Sequence, residues 1–282
     1  MEKPKVSVVI PMYNAEKYME KCLQTISNQT YKSMEVILVD NACTDNTATI
    51  AKKFPFKIIT KEINHGPGLA RNLGVEYASG DILVFVDSDM YFDKDFIKNL
   101  VKPIVEEGAV GTNYEEEIVA NKENIWARCW GRRLTTFQGE FKIYRAILKS
   151  AFEDVNGFDP NKDYGDDQSL FEKLKIRPVL AKNAIVYHNN PDNLKKVFAH
   201  NKWIGRSSEL NILKSGVIGP VFVVLCFILT PLIVLYKTLQ RIFSEFYFPY
   251  LIYYPIFGFV KYFGMFAGML QKSLTKKNLN EV

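Results

Sequence analysis

Apolar runs and helical stripes alternate along the first two hundred or so residues, with turn residues between them. Lys5–Pro11 predicts a first strand, ended by a proline that cannot extend a central ladder. Tyr18, Cys22 and Ile26 recur at every fourth position, the stripe of a helix capped by Asn14 and running to about Asn28. Glu35–Val39 predicts a second strand with Asp40 at its carboxyl end, and Thr44 or Asp45 caps a helix to about Lys53. Lys57–Thr60 is a third strand, and His65-Gly66-Pro67-Gly68 opens a helix to Ala78. Ile82–Val86, apolar throughout, is a buried fourth strand. Strands alternating with helices mean βαβ units, so the predicted fold class is α/β, a Rossmann-like nucleotide-binding domain with a mostly parallel central sheet.

The pattern changes near Gly216. Val217–Tyr236 carries no charge and would be about 30 Å long as a helix, the thickness of a bilayer's hydrocarbon core. Phe246–Leu270 is broken only by Lys261, and its prolines and tyrosines admit either a second span (about 247–270) or a re-entrant, interfacial segment. Basic residues lie before the pair (Lys195, Lys196, Lys202, Arg206, Lys214) and after it (Lys272, Lys276, Lys277), which predicts a hairpin with both ends cytosolic. The expected organisation is a catalytic domain over 1–214, a membrane region over 215–272 and a basic cytosolic tail over 273–282.

With 48% hydrophobic and 13% aromatic residues, the chain is too apolar to be disordered. Its net charge of +5 is spread out rather than gathered into a stripe, which argues against nucleic-acid binding. Cys22, Cys43, Cys129 and Cys226 show no CxxC spacing, so neither a zinc site nor a disulfide framework is implied. Met1–Lys5 leads straight into the first strand without a secretory apolar region, so the catalytic part is expected in the cytosol, at the cell membrane.

Candidate chemistry gathers at strand ends. Asp87-Ser88-Asp89 closes the fourth strand, where open α/β sheets bind ligands. Paired carboxylates there suit Mg²⁺ or Mn²⁺ shared with substrate phosphates; alone, they read equally as an Asp-rich turn capping the next helix. Gly-x-Gly-x-x-Gly and the P-loop pattern are both absent. Asp40 is placed for a base or ribose, or for a turn. The Gly66–Gly68 loop permits close backbone approach, and Arg71 meets either a diphosphate or an acidic strand end.

Ser7–Asn14, Val39–Thr47, Gly68–Gly74 and Val86–Asp89 together resemble glycosyltransferase family 2, the inverting enzymes of GT-A fold, over roughly residues 5–210. The resemblance implies that Pro11, Tyr13, Asp40 and Arg71 line a nucleotide pocket, with Gly68 and Ser88 on the donor side. It implies that Asp87 and Asp89 hold a metal and the diphosphate. One departure is visible: Asn41-Ala42-Cys43 stands where the family usually has Asp-Gly-Ser.

Asn156–Asp159 and Tyr164–Leu170 resemble the family's Gly-Gly-Phe-Asp and Glu-Asp segments, making Asp167 the expected general base and Asp166 its support. The chemistry needs such a group, because an acceptor hydroxyl attacks poorly until a carboxylate takes its proton. The same acids also suit a helix N-terminus. His188 is read as a third metal ligand, a diphosphate contact or a structural histidine. Lys202, Trp203 and Arg206 are read as a phosphate-binding segment or as a headgroup-facing patch. Trp126 and Trp130 are read as core rather than as a sugar platform, and Glu115-Glu116-Glu117 as a solvated loop.

The implied reaction moves a sugar from a nucleotide-diphosphate sugar to a membrane-associated, lipid-linked acceptor, in cell-surface glycan or glycolipid assembly. A polyprenyl-phosphate glycosyltransferase is the alternative within the class, and an inactive membrane-tethered nucleotide-sugar scaffold the alternative outside it. A processive synthase is disfavoured by the lack of Gln-x-x-Arg-Trp.

Overall fold

The computed structural model describes residues 3–131, 142–162, 165–207 and 218–275. Tyr164, Lys214, Val217, Lys276 and Lys277 lie outside the described residues. The chain divides into two compact units. The first is Met1–Ala120 with Arg132–Asn189, and the second is Asn121–Gly131 with Asn190–Val282. Division by packing therefore falls at Asn189, earlier than the composition change near Gly216, and the second unit takes in an excursion from the first half of the chain.

The first unit opens as β1 (Val6–Met12), α1 (Glu16–Ser27), β2 (Met34–Asn41), α2 (Thr47–Ala51), β3 (Lys57–Lys61), α3 (Pro67–Glu76) and β4 (Ile82–Phe85). β5 (Met90–Phe92), α4 (Phe96–Glu107) and β6 (Gly111–Val119) follow, and the excursion carries α5 (Ile125–Trp130). β7 (Ala146–Leu148), α6 (Lys149–Asp154), a 3₁₀ turn (Asp166–Gln168), α7 (Ser169–Leu174) and β8 (Val179–His188) complete the unit. The strands form one sheet in the order β3-β2-β1-β4-β7-β6-β8-β5. β1 is buried along almost its whole length because its residues serve two cores. Val8 and Ile10 face one with Met19 and Leu23, and Val9 faces the other with Leu83, Phe85 and Phe158. A strand covered on both faces reads as a continuous apolar run, which is why β1 and β4 were legible.

The sheet is mostly parallel, as expected, with two reversed strands: β3, β2, β1 and β4 run parallel, as do β6 and β8, while β7 runs antiparallel to β4 and to β6, and β5 antiparallel to β8. An apolar run carries no sign of which strands reverse. Two expectations need correction. Pro11 does not end β1, because the β4 ladder has already stopped at Val9 opposite Phe85. Val9 turns its carbonyl to Val86 N–H, so Pro11, two residues on, lacks its donor on a side with no partner strand left. Asn14 does not cap α1. Its Oδ1 accepts from Thr44 N–H at 2.8 Å, while Ala15 N–H donates to Thr47 Oγ1 and Glu16 N–H to Asp45 Oδ2. The β2–α2 loop thus satisfies the first donors of α1 from outside.

The second unit comprises α5, α8 (Leu194–Ser207), α9 (Ile218–Ile228), α10 (Thr230–Glu245) and α11 (Tyr250–Thr275). Trp126 and Trp130 are core here, packed with Cys129, Val197, Tyr250 and Phe257. α8 and α11 approach backbone to backbone: a Cβ at Gly205 would strike the Met265 carbonyl, and one at Gly268 the Lys202 carbonyl. The run 217–236 is not one helix. It breaks at Leu229, where Pro231 can neither donate to the preceding turn nor fit beneath it. No single helix among the described residues is long and apolar enough to cross a membrane. Val221–Ile228 and Thr230–Glu245, bent by 45°, meet that measure only as a pair.

Candidate functional site

The carboxyl end of β4 delivers Asp87 and Asp89, and α3, entered through Gly66-Pro67-Gly68, delivers Arg71 one turn in. The Arg71 guanidinium is buried and spans two carboxylates, with Nη1 donating to Asp166 Oδ2 and Nη2 to Asp87 Oδ1, each at 2.5 Å. Arg145, buried just before β7, donates through Nη1 to Asp87 Oδ2 at 3.1 Å. Gly68 admits this arrangement, since a Cβ there would lie 2.9 Å from Asp166 Cβ. The segment that precedes the acidic turn in sequence is also tied to α3. Asn72 Nδ2 donates to the Phe158 carbonyl and Phe158 N–H donates to Asn72 Oδ1, both at 2.9 Å.

Charge sorts these acids. Burial opposes ionisation of Asp87, but the guanidinium ions of Arg145 and Arg71 outweigh it and hold its carboxyl well below the usual carboxylate range. Asp166 goes the other way, to about 6: burial raises it, Arg71 counteracts, and Asp167 and Asp87 add repulsion. Arg71 shares its charge between two acids. Asp87 has a second arginine and Asp166 does not, so Asp166 holds its proton more readily. Asp167, next in the turn, is only half-buried.

A second cluster closes the other side of the motif. His188, at the carboxyl end of β8, turns Nε2 to Asp89 Oδ2 at 3.1 Å and Nδ1 to Glu117 Oε1 at 2.9 Å. Tyr114 hydroxyl donates to Glu117 Oε2 at 2.5 Å. The other oxygen of Asp89, Oδ1, is buried without a hydrogen-bond partner. No group of three or more His, Cys, Asp or Glu side chains among the described residues is arranged to hold a metal.

Pro11, Tyr13 and Asp40 stand at the carboxyl ends of β1 and β2, with Tyr13 exposed and Asp40 buried. Asp40 Oδ1 accepts from Cys43 N–H at 2.9 Å, the turn-forming bond, and Ser88 is half-buried between its aspartates. Asn41 donates through Nδ2 to Asn64 Oδ1 and the Gly66 carbonyl while its Oδ1 accepts from His65 N–H, a double role an aspartate has no protons to play. Lys202, Trp203 and Arg206 belong to the second unit, on α8, with both basic side chains exposed.

The structure brings together Gly68, Arg71, Asp87 and Asp166 as one network, and Asp89 with His188 as another. Of the open alternatives for Arg71, it shows the pairing with an acidic strand end. It also joins residues that pattern reading missed. Arg145 looks like any charge flanking an apolar triplet. Glu117 corrects the solvated-loop reading: it lies inside β6 and is 5% exposed. Three consecutive glutamates signal solvent, and nothing local reveals that β8 covers one of them.

The sequence model for Glycosyl transferase family 2 matches residues 7–160, more than half of the chain. The chain belongs to this family. It is 29% identical over 232 residues to Glycosyltransferase GlyA of Streptococcus pneumoniae, a match covering 71% of this chain and 32% of that protein. It is 38% identical over 102 residues to Poly(ribitol-phosphate) beta-N-acetylglucosaminyltransferase TarS of Staphylococcus aureus, covering 34% of this chain and 18% of that protein. The chain thus spans about a third or less of the length of these curated relatives. Among solved structures it is similar to S. aureus TarS in complex with UDP-GlcNAc, with TM-score 0.56, 23% identity, and coverage of 86% of this chain and 73% of that one. It is also similar to mannosyltransferase PcManGT from Pyrobaculum calidifontis in complex with GDP-Man and Mn²⁺, with TM-score 0.62, 18% identity, and coverage of 98% and 88%. At such identities the likeness establishes the fold, the GT-A arrangement of a mixed α/β domain.

Proposed function

We propose that this chain is an inverting glycosyltransferase that moves a sugar from a nucleotide-diphosphate sugar to a lipid-linked acceptor at a membrane surface. The observation that carries the reading is the meeting, within one compact unit of a family 2 chain, of the Asp87–Asp89 motif with the Asp166–Asp167 turn through Arg71. Pro11, Tyr13 and Asp40 flank the nucleoside. Arg71 and Arg145 set the motif's geometry, with Arg71 acting through Asp87 and Asp166 rather than on the diphosphate. Asp167, beside a buried and partly protonated Asp166, takes the proton of the acceptor hydroxyl. That oxygen bonds to the anomeric carbon from the face opposite the diphosphate; the old carbon–oxygen bond breaks and the nucleoside diphosphate leaves.

The residues fit a divalent ion of the Mg²⁺ or Mn²⁺ kind. Asp89 has a buried oxygen with no partner, His188 faces its other oxygen, and such ions complete their shell with substrate phosphates and water. Bound there, the ion would supply Lewis-acid stabilisation of the leaving diphosphate. Both oxygens of Asp87 are taken by guanidinium groups, so Asp89 and His188 are the favoured ligands.

Membrane association is supported by apolar side chains left outward on the second unit, among them Leu229, Leu232, Phe243, Phe246 and Phe248, each more than half exposed. With Trp203 nearby in sequence, Lys202 and Arg206 are the basic groups proposed for a lipid phosphate or headgroup. The catalytic unit would then work on the cytosolic side of the cell membrane.

A thermal-shift screen of nucleotide sugars with Mn²⁺, followed by donor hydrolysis with the ion added and then chelated, tests the reading. One donor should raise the Tm and be hydrolysed only with the ion present. Tight donor binding without turnover under any condition would instead mark a scaffold. With a donor in hand, product analysis separates sugar on a polyprenyl phosphate from sugar on a lipid-linked glycan.

A further inference from the structure

Glu117 is a buried carboxylate whose two oxygens are both committed, one to the Tyr114 hydroxyl and the other to His188 Nδ1. It lies just past an irregularity in the parallel β6–β8 ladder. Tyr114 faces Ala181 but Glu116 faces Ile185, so the register shifts between them, with Asn183 in a left-handed conformation (φ 59°) on the longer side. Irregularities of this kind re-aim side chains. Here Tyr114 and Glu117, three residues apart, come to share one hydrogen bond beneath the histidine.

An ionised carboxylate only accepts hydrogen bonds, so the imidazole atom it contacts must carry a proton. By the same rule Nε2, 3.1 Å from Asp89 Oδ2, shares a proton with that carboxylate here. With Nδ1 held by Glu117, Nε2 is the ring atom left to face a cation in that proton's place. Ligand histidines depend on such a partner, which fixes tautomer and ring angle and raises the basicity of the ligating nitrogen. We infer that Glu117, steadied by Tyr114, is a positioning residue that presents His188 Nε2 to a divalent cation shared with Asp89. The inference rests on the proposed reading of Asp89 and His188 as the ion's ligands and assigns Glu117 and Tyr114 a role beyond it.

The test is Mn²⁺ titration of the full chain, followed by electron paramagnetic resonance without donor, for the natural protein and for H188A, E117Q, E117D and Y114F. A glutamine either donates or accepts, so E117Q no longer dictates the tautomer; it should weaken Mn²⁺ binding about 10- to 100-fold. It should also move the His188 signature in ¹⁵N-resolved NMR toward the other tautomer. E117D keeps an acceptor-only group and should retain more affinity than E117Q. Y114F removes a single hydroxyl and should weaken binding in the same direction by less, which keeps the idea testable if E117Q folds poorly. If H188A loses Mn²⁺ binding while E117Q and Y114F bind as the natural protein does, the inference is overturned and the ion-site reading stands. If H188A also binds unchanged, the ion-site reading falls and takes the inference with it.

Discussion

Arg71 Nη1 lies 2.5 Å from Asp166 Oδ2, although 95 positions separate the two residues in sequence. The same guanidinium holds Asp87, so one buried side chain binds the acid that closes β4 to the acids of a turn much later in the chain.

Removing that side chain strands the buried Asp166 carboxylate and leaves Asp87 with Arg145 alone. Arg71→Ala should lower the unfolding free energy by about 3–5 kcal/mol, the usual cost of breaking a buried pair from one side. Arg71→Lys should recover only part of it, because an ammonium cannot span both acids as a planar fork does. Urea unfolding of the three proteins measures this; equal stability of the lysine variant would contradict the two-sided geometry.

Asp166 carries a stability signature in pH. Its folded pKa, about 6, exceeds the ordinary 3.8, so between these values the folded chain holds a proton that the unfolded chain has lost. Stability from this group is therefore present below about pH 4 and is lost as pH rises through about 6, by on the order of 3 kcal/mol. Asp87, displaced downward, acts oppositely and below that window. Asp166→Asn should abolish the decline between pH 4 and 6, which chemical unfolding at several pH values will register.

Asp167 is given the proton-transfer role and no structural one. Asp167→Asn should cost roughly 10²–10⁴-fold in kcat, with donor KM and thermal stability little changed. Retained turnover would remove the assignment.

Ala42 sits at φ 64°, a left-handed conformation that costs a β-carbon strain, at the place where the family usually has glycine. Ala42→Gly relieves about 1–2 kcal/mol of strain and gives back about 0.4–1 kcal/mol in unfolded-chain entropy. A net gain near 0.5–1 kcal/mol is expected, read as a higher midpoint in urea.

Much of the first unit was legible because β1, β2 and β4 are apolar on both faces, and because Asp87 and Asp89 sit at a strand's end. The approximate bounds of α1 and α3 followed from their stripes and glycines. What escaped depends on partners distant in sequence. Strand direction beyond β4, the trans-satisfied start of α1, Arg145 and Glu117 are all set by contacts that no window of neighbours contains. The apolar tail was legible in part: its composition is plain in the sequence, whereas Pro231 sets where it bends.

Glycines bring α8 and α11 together with no side chain interposed, and that closeness has a mechanical result. Rolling either helix about its axis would drive a methyl or larger group into the other's carbonyls, so the pair turns only as one body. Lys202 and Arg206, mounted on α8, therefore keep a fixed bearing on α11, two charges whose mount cannot swivel.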